Sequence, residues 1–132
     1  MNPCSSVRTN LKRSELNLKK VRKWLEALPL KWENEDLLIT HAGIARNNKD
    51  PWHVSSRSGV LFNKGPLASL DKIQIKGHSI VEGNKPVFNP KENAWYIDTG
   101  AWTKKYLTAL RLNLQGEKLA VVRVPTDQRD RA

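Results

Sequence analysis

Only one stretch of the chain has the periodicity of a helix, and nearly everything after it is cut into short strands. From Ser14, the residues Leu16, Leu18, Val21, Trp24, Leu25 and Leu28 recur at helical spacing, with the basic residues mostly on the opposite face. Ser14 followed by Glu15 suits a helix start, and Pro29 ends the helix because the residue before a proline is pushed out of the α region. "KWENED" reads as a polar turn into a strand over residues 37–40, and residues 46–59 as a long polar loop. "VLFNKGPLASL" can form a short helix closing at Lys64-Gly65. In "DKIQIKG", Ile73 and Ile75 alternate with Gln74 and Lys76, the pattern of a half-buried strand. "NKPVFNPKENAWYIDTGAW" predicts strand, turn and strand, and "KYLTALRLNLQGEKLAVVRVP" a hairpin about Gln115-Gly116-Glu117. One leading helix followed by mostly β-strands and a C-terminal hairpin is an α+β chain. Residues 1–12 are expected to be a loose lead-in, 13–125 the folded part and 126–132 a polar tail.

A chain of 132 residues has room for one domain with a real core. No run approaches the roughly 18 consecutive apolar residues of a membrane span, and no apolar leader follows Met1. The single cysteine, Cys4, excludes an internal disulfide framework and a cysteine metal knuckle. A cytoplasmic protein without a membrane partner is the expectation. The chain has 23 Lys and Arg against 13 Asp and Glu, a formal charge of +10. The cations are spread along the chain, and no aromatic RNP run, GXXG clamp or zinc knuckle accompanies them. A solvated basic surface is therefore the expected reading, and a basic nucleic-acid-binding domain an alternative that rests on charge alone.

Two strands each deliver a histidine at their carboxyl end beside a glycine, in "LLITHAG" and "IQIKGHS". A lone His-Gly pair can be no more than a turn, since glycine serves sharp bends. Two such pairs suggest one purpose: sheet proteins place sites beyond strand carboxyl ends, and neutral imidazole is a common metal ligand. His41 and His78 are thus candidate partners in one site.

"LLITHAGI", "VLFNKGPL", "IQIKGHSIV" and "WYIDTGAWTKKYLTALRL", in this order, resemble the C-terminal part of a calcineurin-like metallophosphoesterase, of the bacterial and phage Ser/Thr protein phosphatase type. The likeness runs from about Leu16 to Val124 and includes the helix end "WLEALPL". It implies the C-terminal half of a two-sheet sandwich, with His41 and His78 as ligands in a two-metal centre. Mn²⁺ is the metal most expected, with Fe or Zn²⁺ as alternatives. Two such ions, about 3.5–4 Å apart, clamp the attacking and leaving oxygens of phosphoryl transfer. It also implies a phosphate-gripping role for Lys64, where relatives often carry arginine, with Arg57 as a second candidate. Ser79-Ile80 departs from the Thr-Pro that many relatives have after the GH motif. Asp98 reads as a turn-fixing residue, and His53 receives no role.

Relatives also present GDxHG, GDxxDRG and GNHE segments, which carry the bridging aspartate, the other ligands and the general acid; this sequence has no Gly-Asp and no Asn-His dipeptide. The two-metal site is therefore expected to be incomplete in this chain. Hydrolysis of phosphate monoesters, from a phosphoprotein or a nucleotide, would need the N-terminal half of such a domain, supplied in trans or in a longer product; self-association is another route. The alternative is a catalytically inactive remnant or subunit of the same fold.

Overall fold

The structure, a computed structural model, describes residues 17–127 and 129. The lead-in at 1–12 and the helix start expected at Ser14 lie outside the described residues. The described residues are α+β: one α-helix, two short 3-10 turns, a five-stranded sheet and a two-stranded sheet.

Helix α1 spans Leu18–Glu26, with Asn17 as its N-cap, the side-chain oxygen accepting from the amides of Lys19 and Lys20. Its stripe of Leu18, Val21, Trp24 and Leu25 stays largely exposed, and no residue of the helix is buried. Strand β1 (Lys31–Glu33) follows at once, in a segment whose polar composition suggests only a turn. It is an edge strand with every residue exposed, so no burial pattern marks it in the sequence.

The large sheet has the order β1-β2-β3-β5-β4, with β2 at Leu37–Thr40, β3 at Ile73–Lys76, β4 at Val87–Asn89 and β5 at Ala94–Tyr96. Strands β2, β3 and β5 are mutually parallel; β1 and β4 are antiparallel edges. The carboxyl ends of the three parallel strands therefore meet at one rim.

One sheet face carries a row in register across all five strands: Trp32, Ile39, Ile75, Trp95 and Phe88. The C-terminal hairpin, β6 (Tyr106–Leu112) and β7 (Lys118–Pro125), lies on this face. Its turn comes so close that a Cβ on Gly116, already at φ +88°, would stand 2.4 Å from Ile73 Cδ1. Lys118 Nζ sits 5.7 Å from the centre of the Trp95 ring, and Asn34 donates to the Leu114 carbonyl. Two strands cannot cover five, so Trp32 and Ile39 at the flank remain exposed. The outer hairpin face, Leu107, Val122 and Val124, is exposed too.

The other sheet face is covered by the long β2–β3 connection, residues 41–72. No helix forms at "VLFNKGPLASL": the segment runs through turns and an isolated bridge, Ala45 to Leu67. Pro66 and the close contacts of Leu67 give it tertiary rather than helical partners. Leu38, Ile44 and Val60 form the core cluster here.

Strand β3 corrects the half-buried expectation. Gln74 and Lys76 are 1 % and 2 % exposed, as buried as Ile75. A central strand with a hairpin on one face and a connection on the other has no solvent side. Gln74 is used as a fastener: its Oε1 accepts from the Ile44 amide and its Nε2 donates to the Ala68 carbonyl.

Candidate functional site at the carboxyl ends of the parallel strands

Each parallel strand ends one or two residues before a group that faces the same rim: His41 follows Thr40, His78 follows Lys76-Gly77, and Asp98 follows Tyr96-Ile97. The first two ends are tied together by the Gly77 amide, which donates to the His41 carbonyl at 3.0 Å. Above that bond the imidazoles meet, His41 Nε2 lying 3.0 Å from His78 Nδ1, one nitrogen donating and the other accepting. The rings are tilted by 61° with centroids 4.8 Å apart.

Glycine serves this rim differently from the sequence expectation. Gly43 in the first motif does take positive φ, at +78°, where a Cβ would press on Leu67. In the second motif it is His78 itself, at φ +68°, that occupies the left-handed region, and not Gly77. A histidine held there is a costly conformation, of the kind that collects at functional positions.

His78 Nε2 is buried without a hydrogen-bond partner. Burial foremost, then the charges of His41, Lys76 and Lys64, hold the His78 imidazolium below its ordinary range, while the nearby Phe62 carbonyl works weakly the other way. The neutral ring, with a lone pair to offer, is thus favoured. Below the rim, burial lowers the Lys76 ammonium, against the opposing attraction of Glu92 and Asp98. Its Nζ lies 5.1 Å from the Tyr96 ring centre.

Arg57, Lys64 and His78 line one open cavity of about 680 Å³, together with Phe62 and Asn63. Asn63 fixes the Lys64 turn: its buried side chain accepts from the Gly65 amide at 2.9 Å and donates to the Gly65 carbonyl at 3.3 Å. Arg57 and Lys64 are exposed, and neither makes an ion pair among the described residues. No carboxylate stands in this wall. Asp98 lines a second cavity with His41 and His78, but its Oδ1 accepts from the Gly100 amide, in keeping with a turn-fixing role. His53 is exposed, with its ring Nδ1 accepting from the Ser55 amide. Phe62 escaped the sequence reading; its only signal was an aromatic residue close before Lys64.

The nitrogen pair fits one metal ion in spacing. Two imidazole nitrogens bound to one ion at about 2.0–2.1 Å lie roughly 2.9–3.4 Å apart for adjacent coordination positions. The observed 3.0 Å falls in that interval for zinc-like bond lengths and is equally the length of the His41–His78 hydrogen bond, which an ion would replace. A full coordination set is another matter: among the described residues, no group of three or more His, Cys, Asp or Glu side chains is placed to share an ion. No helix of the described residues is long and apolar enough to cross a membrane. No protein-family model, curated protein or solved structure matches the chain.

Proposed function

We propose that this chain supplies the histidine-and-cation part of a phosphoester-hydrolysing metal site, of the metallophosphoesterase type. The observation that carries the reading is the meeting of His41 Nε2 and His78 Nδ1 at 3.0 Å, beside a cavity walled by Lys64 and Arg57. His41 and His78 would hold a divalent ion, with Mn²⁺ most expected. Such ions supply charge stabilisation and activation of water in phosphoryl transfer. Lys64, steadied by Asn63, would hold the phosphate oxygens as a point charge, with Arg57 as a second cation.

Two imidazoles alone do not neutralise or bridge two dications, so hydrolysis requires carboxylate ligands from elsewhere. A second polypeptide, or a further segment joined in a longer product, would bring them. It would also cover apolar surface such as Trp32, Ile39, Leu107, Val122 and Val124, which supports the same arrangement. A catalytically inactive phosphate-binding subunit is the second reading, in which the cavity of Lys64 and Arg57 would hold phosphate without a metal.

The test pairs ion binding with turnover. Wild type should bind Mn²⁺ weakly, with His41→Ala and His78→Ala each losing about tenfold or more in affinity. All three should be inert towards p-nitrophenyl phosphate. Equal Mn²⁺ affinity in wild type and both variants would end the metal-site reading. Turnover by wild type alone would instead mean that copies of this chain complete the site among themselves.

A further inference from the structure

The cavity holding Arg57, Lys64 and His78 is far roomier than a phosphate needs. Its volume of about 680 Å³ is within the range of pockets that take whole small molecules, roughly 300–1,000 Å³. What the remaining space would touch is therefore informative. One wall is Phe62, which leaves 49 % of its surface exposed. A single exposed phenylalanine on a surface means little. This one lies two residues before Lys64 and lines the same cavity as Lys64, Arg57 and His78.

The segment is also held in shape. The amides of Phe62 and Asn63 both donate to the Gly59 carbonyl at 3.0 Å, and Asn63 locks the following turn. An aromatic ring carried on this hydrogen-bonded turn, in one cavity with two cations, suits a ligand with an anionic end and a flat, polarisable body.

We infer that this site takes phosphate esters whose alcohol portion carries an aromatic ring, with Phe62 as the stacking platform and Lys64 and Arg57 on the phosphate. The inference rests on the reading of Lys64 and Arg57 as phosphate-holding groups. Phe62 acts as a specificity-determining residue: an aliphatic ester such as phosphoserine meets the same cations but gains little from the ring. The ring could be a nucleobase or a simple aryl group. The two differ in reach, because a nucleobase sits a ribose away from its phosphate whereas an aryl ester places the ring directly against it.

The experiment is a chemical-shift titration of the whole chain, without metal, against inorganic phosphate, phosphoserine, phenyl phosphate and adenosine monophosphate. Aryl or nucleoside phosphate should bind about five- to tenfold more tightly than phosphoserine, the low end of base–aromatic stacking. Preference for the nucleotide identifies a nucleobase as the ring; preference for phenyl phosphate identifies an aryl group. Phe62→Leu, which keeps apolar bulk without a ring face, should bring all organic esters level while leaving inorganic phosphate unchanged. Lys64→Ala should weaken every ligand together. Phosphoserine binding as well as the aromatic esters, or a preference that survives Phe62→Leu, overturns the stacking role and leaves the phosphate site standing. Failure of every phosphate ligand to shift the cavity residues overturns both.

Discussion

His78 gathers most of what is unusual in this molecule. It sits in left-handed backbone, its Nε2 is buried without a partner, and its charged form is disfavoured first by burial. The sign of the pH effect follows. An unfolded histidine takes its proton near pH 6.5, but the folded ring does so only at lower pH. Between those values the unfolded state binds more protons, so stability falls as pH falls through about 6.5 and the loss levels off below the folded value. Above about 6.5 the ring contributes no slope. Side-chain NMR should find His78 titrating below about 6.5, and Lys64→Gln should move it upward by removing one opposing charge. Titration at or above the ordinary value would contradict the burial argument. The two histidines could be named from sequence because the chain has only three and both follow ordered strand-end motifs, whereas Lys64 and Arg57, two of 23 Lys and Arg, were singled out only alongside the family resemblance. Phe62 could not, since nothing in "VLFNKG" tells an exposed aromatic from a core one.

Between the elements, Glu92 does the joining. Its Oε1 accepts from the Leu67 amide at 2.8 Å, and its Oε2 from Asn89 Nδ2 at 2.8 Å and from the Tyr96 hydroxyl. One carboxylate therefore ties the β2–β3 connection to β5 and to the end of β4; burial foremost, and then this carboxylate, raises the Tyr96 phenol well above its usual range. Glu92→Ala would strand the Leu67 amide, whose residue is fully buried, and should cost about 2–4 kcal/mol. Urea unfolding measures this; a loss under about 0.5 kcal/mol would mean the connection is held by its apolar contacts alone. Such a link is invisible in sequence, because a glutamate in "NPKENAW" reads as turn. The same blindness explains β3, where Gln74 and Lys76 looked like a solvent face. Alternation reports polarity, and Gln74, with its hydrogen bonds met inside, and Lys76, over the Tyr96 ring, are as much interior as an isoleucine. By contrast β2, β5 and the C-terminal hairpin were plain, since their apolar runs and turn residues agree.

For the molecule as a whole, the α+β order of one α-helix followed mostly by strands was legible among the described residues, apart from the edge strand β1, which read as a turn, and the segment 60–70, which read as a short helix. The stacking of the hairpin on the sheet was not, because the row from Trp32 to Phe88 exists only once five strands are in register. Nor did the sequence disclose how much apolar surface stays uncovered: α1 buries nothing, and the hairpin presents Leu107, Val122 and Val124 outward. The β2–β3 connection carries a last consequence, for the order of events in time. The β6–β7 ladder closes across a short turn, Leu112 against Lys118, whereas Leu37 must find Ile73 across the whole of residues 41–72. Closing the longer loop costs more entropy before any contact repays it, and parallel pairing of this kind is slow. Hairpins close in about 1–10 μs. Pulse-labelled hydrogen exchange during refolding should protect hairpin amides before those of β2 and β3; simultaneous protection would refute this order. If it holds, the rim that brings His41 to His78 is among the last parts of the protein to come into being.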